Sequence, residues 1–241
     1  MTTRFAMWSG PRNISTAMMR SWENRPDCVV VDEPFYAYFL KLSGRDDPGR
    51  DEIIAAGPTD WREVVKQMTG PVPGEPAVFY QKQMPHHITP EIDMGWVDGI
   101  RNALLIREPR AVVASYIRAR HDLTREDIGL VQQVGLFDRL RDRGDQPPII
   151  DAMDFLRAPE AYLRWLCDWL GVEFTDRMLH WPPGPRDTDG VWAPYWYAAV
   201  ERSTGFVPWQ PREVHLKGEA LRIAEESVPD YEMLAAHRLL I

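Results

Sequence analysis

The chain is short of several features that would have decided its class at once. It holds two cysteines, Cys28 and Cys167, among 241 residues. They stand far apart and outside any CxxC spacing. That argues against a zinc site or a disulfide framework, and for two small buried hydrophobes. No apolar run approaches the roughly 20 residues a spanning helix needs. The N-terminus also lacks the charged-then-apolar layout of a secretion signal, so a cytoplasmic location is the expectation. Basic charge is in deficit: 28 Lys and Arg against 36 Asp and Glu leave a formal charge of −8. General nucleic-acid binding wants a basic surface and is disfavoured. An anionic small ligand is not, because a local cluster of arginines overrides the net balance. Internal repeats, low-complexity tracts and linker-like stretches are missing too, and the expectation is one domain over residues 1–241.

What is present starts with Arg4 to Trp22, RFAMWSGPRNISTAMMRSW. A short apolar run passes through a tight polar loop, Ser9-Gly10-Pro11-Arg12-Asn13, into a helix opening at Ser15-Thr16. The first turn of a helix has N–H groups without intrahelical partners and carries partial positive charge. A phosphate or sulfate there meets those groups, Arg12 and the hydroxyls of Ser15 and Thr16. The same pattern also describes an ordinary strand-to-helix turn with Ser15 as N-cap. The nucleotide-triphosphatase pattern of Gly, four residues, Gly-Lys and Ser or Thr is absent, since Ile14 precedes Ser15 and the loop has no lysine. ATP is therefore not favoured.

Cys28–Asp32 reads as a second strand ending at Glu33, a candidate acid or base. In open parallel sheets the ligand crevice lies outside such strand ends. Glu33 is equally a carboxylate complementing a helix start at Pro34. Residues 43–59 are loop-rich and read as a flap. Asp60 with Glu63 predicts a helix over 61–69. Residues 77–82 form a third strand running into Pro85-His86-His87. Adjacent histidines can ligate a metal, but no third ligand at a recognisable spacing follows, and no metal is expected. Neutral imidazole suits a general base, which makes His86 and His87 candidates beside their plain reading as loop residues. A helix over 89–99, a strand at 102–106, helices over 111–120 and 124–141, a strand at 148–151 and a helix at 159–170 complete the pattern. Strands alternating with helices imply an α/β fold, a parallel sheet of about five strands with helices on both faces. The 10 tryptophans lie mostly after residue 160 and serve either the core or an apolar pocket wall.

The segment Leu105 to Tyr116, LIREPRAVVASY, resembles a sulfotransferase signature. A strand delivers Arg107, a polar residue and proline follow, and Ser115 comes eight positions after the arginine. The resemblance implies that Arg107 and Ser115 bind the 3′-phosphate of 3′-phosphoadenylyl sulfate (PAPS), within a P-loop-type architecture. The opening loop is similar to that family's 5′-phosphosulfate loop. On that likeness Gly10, Arg12, Asn13, Ser15 and Thr16 hold the donor, and Arg12 stabilises the leaving phosphate. Ile14 departs from the family's usual glycine. YQKQMPH at 80–86 is similar to the strand that carries the family's catalytic histidine, which His86 and His87 overshoot. Some bacterial members use a carboxylate after the second strand, here Glu33. Arg186 stands where the family has a late donor loop. The likeness covers most of residues 4–175, and some of the bacterial and plant domains that share this look are labelled aminotransferase-like for a fused neighbour.

The implied function is sulfuryl transfer from PAPS to a hydroxyl of a small-molecule acceptor. The rivals are an ATP phosphotransferase and a non-catalytic nucleotide-binding protein.

Overall fold

The structure is a computed structural model, and it describes every residue except Met1, Ala119, His121 and Arg212. Five strands form one parallel sheet in the order β2-β3-β1-β4-β5. They are β1 (Thr3–Ser9), β2 (Cys28–Asp32), β3 (Val78–Gln83), β4 (Arg101–Ile106) and β5 (Ile149–Asp151). Each is a short, mostly apolar run, as a strand covered on both faces must be. The register sets Thr3 beside Val78, Phe5 beside Arg101 and Asp32 beside Lys82.

The first helices are α1 (Ser15–Glu23), α2 (Tyr36–Ser43), α3 (Arg50–Ala56) and α4 (Trp61–Thr69). Then come α5 (Pro109–Tyr116), α6 (Arg125–Ile128), α7 (Leu130–Asp142), α8 (Ala152–Arg157) and α9 (Pro159–Leu170). The last are α10 (Ala193–Trp196), α11 (Ala198–Glu201), α12 (Gly218–Glu226) and α13 (Val228–Ala235).

Alternation along the strands sorts these helices onto two faces. Ala6, Trp8, Leu104 and Ile106 point to one face and pack against α4–α7, α12 and α13. Phe5, Met7, Ala103 and Leu105 point to the other, against α1, α8 and α9. Each large apolar side chain among them, fully buried, contributes about 1.5–3 kcal/mol of transfer energy. The Trp8 indole N–H donates to Asn102 Oδ1 at 2.9 Å, so even its polar atom is satisfied. A smaller apolar cluster joins α2 and α3 to Trp192, Ala193 and Tyr197. Burial pushes the Cys28 thiol up to about 12 and that of Cys167 to about 11, as befits two inert residues.

Four expected elements differ. Residues 43–59 carry α3 and are not wholly loop. Its start is set by Gly49, whose left-handed φ of 75° lies against the Tyr195 ring. Residues 89–99 form only a 3₁₀ turn, Met94–Gly99, which Asp93 caps at Gly95 N. The helix expected over 111–120 begins earlier and ends at Tyr116, with the Glu108 carboxylate accepting from the N–H groups of Arg110 and Ala111. The long helix expected over 124–141 breaks at Gly129, whose φ of 80° no α-helix accommodates. By contrast α4 has its expected span, and Asp60 accepts from Arg62 N.

Candidate active site

Because all five strands are parallel, the loops that follow them emerge on one edge of the sheet. They enclose a cavity of about 370 Å³. Nine of the residues singled out in the sequence line it: Arg12, Asn13, Ser15, Thr16, Glu33, His86, His87, Arg107 and Ser115. Gly10 and Arg186 do not. A Cβ on Gly10 would stand 2.1 Å from the Ile128 carbonyl oxygen, so this glycine lets the loop pass against the end of α6. Arg186 lies over α1, its Nε 4.0 Å from Glu23 Oε2. Late in the chain the cavity wall comes from Ser203, Gly205, Phe206 and Val207 instead.

Strand order divides the cavity. The loops after β1 and β4, which are neighbours, place Arg12, Ser15, Thr16, Arg107 and Ser115 together. Ser15 is the first helical residue of α1, and Ile14 holds the N-cap position. Ile14 has φ −89° and ψ 16°, a backbone that needs no glycine. The left-handed residue in this loop is Arg12, at φ 55°. That strain is held by neighbours: Arg107 donates to the Arg12 carbonyl at 2.6 Å, and Asn13 Nδ2 to the Leu105 carbonyl at 3.1 Å. The Arg12 guanidinium donates from Nε to Ser115 Oγ at 3.1 Å. Burial pulls Arg12 below its usual value, Tyr116 opposing and Arg118 assisting, yet a guanidinium stays charged. Unpaired helix N–H groups, two guanidinium groups and three hydroxyls make this half a receptor for anionic oxygen.

The loops after β2 and β3 build the other half. Glu33 directly follows β2 and sits in the left-handed region, at φ 39°. Among the described residues only Arg12, Glu33 and Glu75 combine a side chain with positive φ, and the first two face this cavity. Strain of this kind gathers at functional sites. Lys82 Nζ donates to Glu33 Oε1 at 2.7 Å, to Asp32 Oδ1 at 2.8 Å and to the Tyr197 hydroxyl at 2.5 Å. Burial and the Asp32 charge raise Glu33 above the usual carboxylate range, while Lys82 works against both. Burial alone would lower Lys82, but Asp32 and Glu33 outweigh it and keep the ammonium charged.

His87 lies stacked between Tyr36, at 4.6 Å, and Phe39, at 4.9 Å, with His86 edge-on at 4.4 Å. Burial lowers His86 to about 4 and takes His87 well below its ordinary value. The Nδ1 atoms of both rings are buried without a partner. Both rings are therefore neutral near pH 7 and are weak bases.

The sequence reading passed over Lys82, Asp32 and an ionic web beside the cavity, and took Tyr197 only as part of an aromatic run that could line a pocket. In that web Asp47 accepts from Tyr36, Arg45 and Arg120, and Arg45 also reaches Asp127 and Tyr116. Two signals for Lys82 were available: a lysine near the end of a strand, and an acidic pair at the end of the strand before it. Their pairing needs the register of Asp32 beside Lys82, which no local pattern supplies.

The family profile described as "Sulfotransferase domain" matches residues 3–236. Two Arabidopsis thaliana proteins named branched-chain-amino-acid aminotransferase-like protein 2 and protein 1 are 36% and 37% identical to the chain. Each alignment covers 95% of this chain and 41% of the relative, so the chain spans about two fifths of their length. The sulfotransferase domain from the curacin biosynthetic pathway superposes with a TM-score of 0.56 at 15% identity, over 95% of this chain and 98% of that one. A sulfotransferase from Alicyclobacillus acidocaldarius gives 0.55 at 18%, over 99% and 97%. These two likenesses are of fold.

Proposed function

The chain belongs to the sulfotransferase domain family, and from that premise we propose that it moves a sulfuryl group from PAPS to a hydroxyl of a small-molecule acceptor. We take the residues to act in one domain. The observation that carries the reading is the division of one cavity between an anion-binding half and a half holding a buried carboxylate. The donor set fits the co-substrate: helix N–H groups, Arg12, Ser15 and Thr16 suit a 5′-phosphosulfate, and Arg107 with Ser115 suits a 3′-phosphate.

Glu33 is the base in this reading. One of its oxygens is held by Lys82, which leaves the other for an acceptor hydroxyl. The acceptor oxygen forms a bond to sulfur as Glu33 takes its proton. The bond from sulfur to the bridging oxygen breaks, and its electron pair remains on the phosphate. Arg12 stabilises that developing charge, and fixed donors of this sort supply much of an enzyme's rate. His86 and His87 serve better as a neutral wall than as bases, given how far burial depresses them. Trp196, Tyr197 and Val200 line the cavity and adjoin the apolar cluster of Tyr36 and Phe39, which favours an acceptor with an apolar body.

Titration with adenosine 3′,5′-bisphosphate, with ATP and magnesium as control, tests the donor class. At 100 times its dissociation constant the bisphosphate stabilises the fold by about 2.7 kcal/mol, seen as a rise in Tm. A rise with ATP alone would overturn the reading.

A further inference from the structure

Asp32, Glu33, Lys82 and Tyr197 come from three separate parts of the chain and meet around one ammonium group. Lys82 donates to both carboxylates and to the phenol oxygen, at 2.5–2.8 Å. The phenol donates in turn to Asp32 Oδ2 at 2.6 Å, and the Trp192 indole N–H reaches the same phenol oxygen at 3.1 Å. Asp32 Oδ2 also accepts from Gly190 N at 3.3 Å. The side chains of Lys82 and Asp32 are 2% and 1% exposed, and that of Glu33 is 11% exposed. Of the two carboxylates, only Glu33 lines the cavity.

Two carboxylates share one ammonium, so the cluster carries one net negative charge in a place shielded from water. Lys82 alone with Glu33 would make a closed ion pair and a poor base. Asp32 alone with Glu33 would make two like charges, one of which takes up a proton. With all three present, Lys82 offsets part of the rise that burial and Asp32 impose on Glu33, while Asp32 draws off part of the ammonium charge. Tyr197 holds the arrangement from the far side, bonded to both Lys82 and Asp32.

We propose that Asp32, Lys82 and Tyr197 are positioning residues that hold Glu33 in its strained conformation and set its proton affinity. The segment from Gly190 to Tyr197 is thereby part of the base, although it contributes no group to the proton transfer itself. The other titratable groups near Glu33 are Tyr36 from α2 and His87 from the turn after β3. Tyr36 is directed to Asp47, and burial leaves His87 uncharged near neutrality. Neither alters the charge count.

The proposal rests on Glu33 as the base, but its test needs neither donor nor acceptor. The full-length protein is labelled with ¹³C at the glutamate carboxyl, and the Glu33 signal is assigned as the one lost in Glu33→Gln. Its titration midpoint is then followed by NMR in Lys82→Met, Tyr197→Phe and Asp32→Asn. Loss of the neighbouring positive charge moves the midpoint to higher pH, and loss of the neighbouring negative charge moves it lower, each by about 1–3 units. Tyr197→Phe moves it upward by less, because the phenol's hydrogen bond, which favours the ionised form of Glu33, is lost. If Lys82→Met does not fold, the opposed shifts of Tyr197→Phe and Asp32→Asn carry the test. Shifts of the same sign, or none in Asp32→Asn, overturn the proposal, since general loosening would move every variant one way. A Glu33→Gln protein with undiminished sulfuryl transfer would reject Glu33 as the base while leaving these titrations as they stand.

Discussion

The two halves of the cavity are built on different principles. The half after β1 and β4 is made of positive charge and helix N–H groups, supplied by two stretches that are each continuous in sequence: residues 12–16 and 107–115. The half after β2 and β3 is made of opposite charges that cancel in part, drawn from residues up to 165 positions apart. In the reading proposed above, one half binds an anion by surplus donors. The other keeps a single carboxylate reactive by near-balance. Surplus tolerates loss of one member, whereas balance does not, and the halves should therefore fail differently.

The sharpest break of that contrast is Glu33→Gln. It should lower the rate of sulfuryl transfer by about 10²–10⁴, the usual contribution of general base catalysis. Calorimetric affinity for adenosine 3′,5′-bisphosphate should stay unchanged, which would place the loss in one half alone. Next comes Lys82→Met, which leaves two buried carboxylates facing each other. Denaturant unfolding should show a destabilisation of about 3–5 kcal/mol, as for other broken buried pairs.

Arg107→Ala strikes the surplus half and should be milder. Bisphosphate affinity should fall by about 1.5–3 kcal/mol, the range for a hydrogen bond to a charged group, with little change in unfolding midpoint. Part of that loss would come through the Arg12 carbonyl that Arg107 now holds.

A last break of the contrast concerns the histidines. His86 and His87 have folded-state values below the ordinary 6.5. The unfolded chain therefore takes up protons first as pH falls. Their contribution to stability is full above about pH 6.5 and declines as pH drops toward about 4, the His86 value. Urea midpoints measured across that window should show the slope, and His86→Leu should flatten it.

Legibility follows the same division. β2 and α9 have the spans that their apolar runs and flanking signals indicated. The strand–loop–helix from β1 into α1 is equally local, and so is the Arg107 to Ser115 spacing. Misreadings fell where a local rule met a distant partner. Gly129 breaks a good helical pattern at the place where Gly10 packs against the end of α6. Residues 50–56 turn helical where Ile53 can be buried in the cluster around Trp192. Arg186, placed by analogy of position, pairs across α1 with Glu23.

By itself the sequence determined the parallel α/β architecture and singled out the stretches proposed to bind the donor, because apolar periodicity, turn chemistry and a helix N-terminus act over a few neighbouring residues. Only the tertiary structure decided the other half. Which carboxylate meets Lys82 depends on strand register, and whether Tyr197 reaches them depends on how α10 docks. Those are contacts between segments far apart in the chain, made under burial strong enough to change how their charges behave.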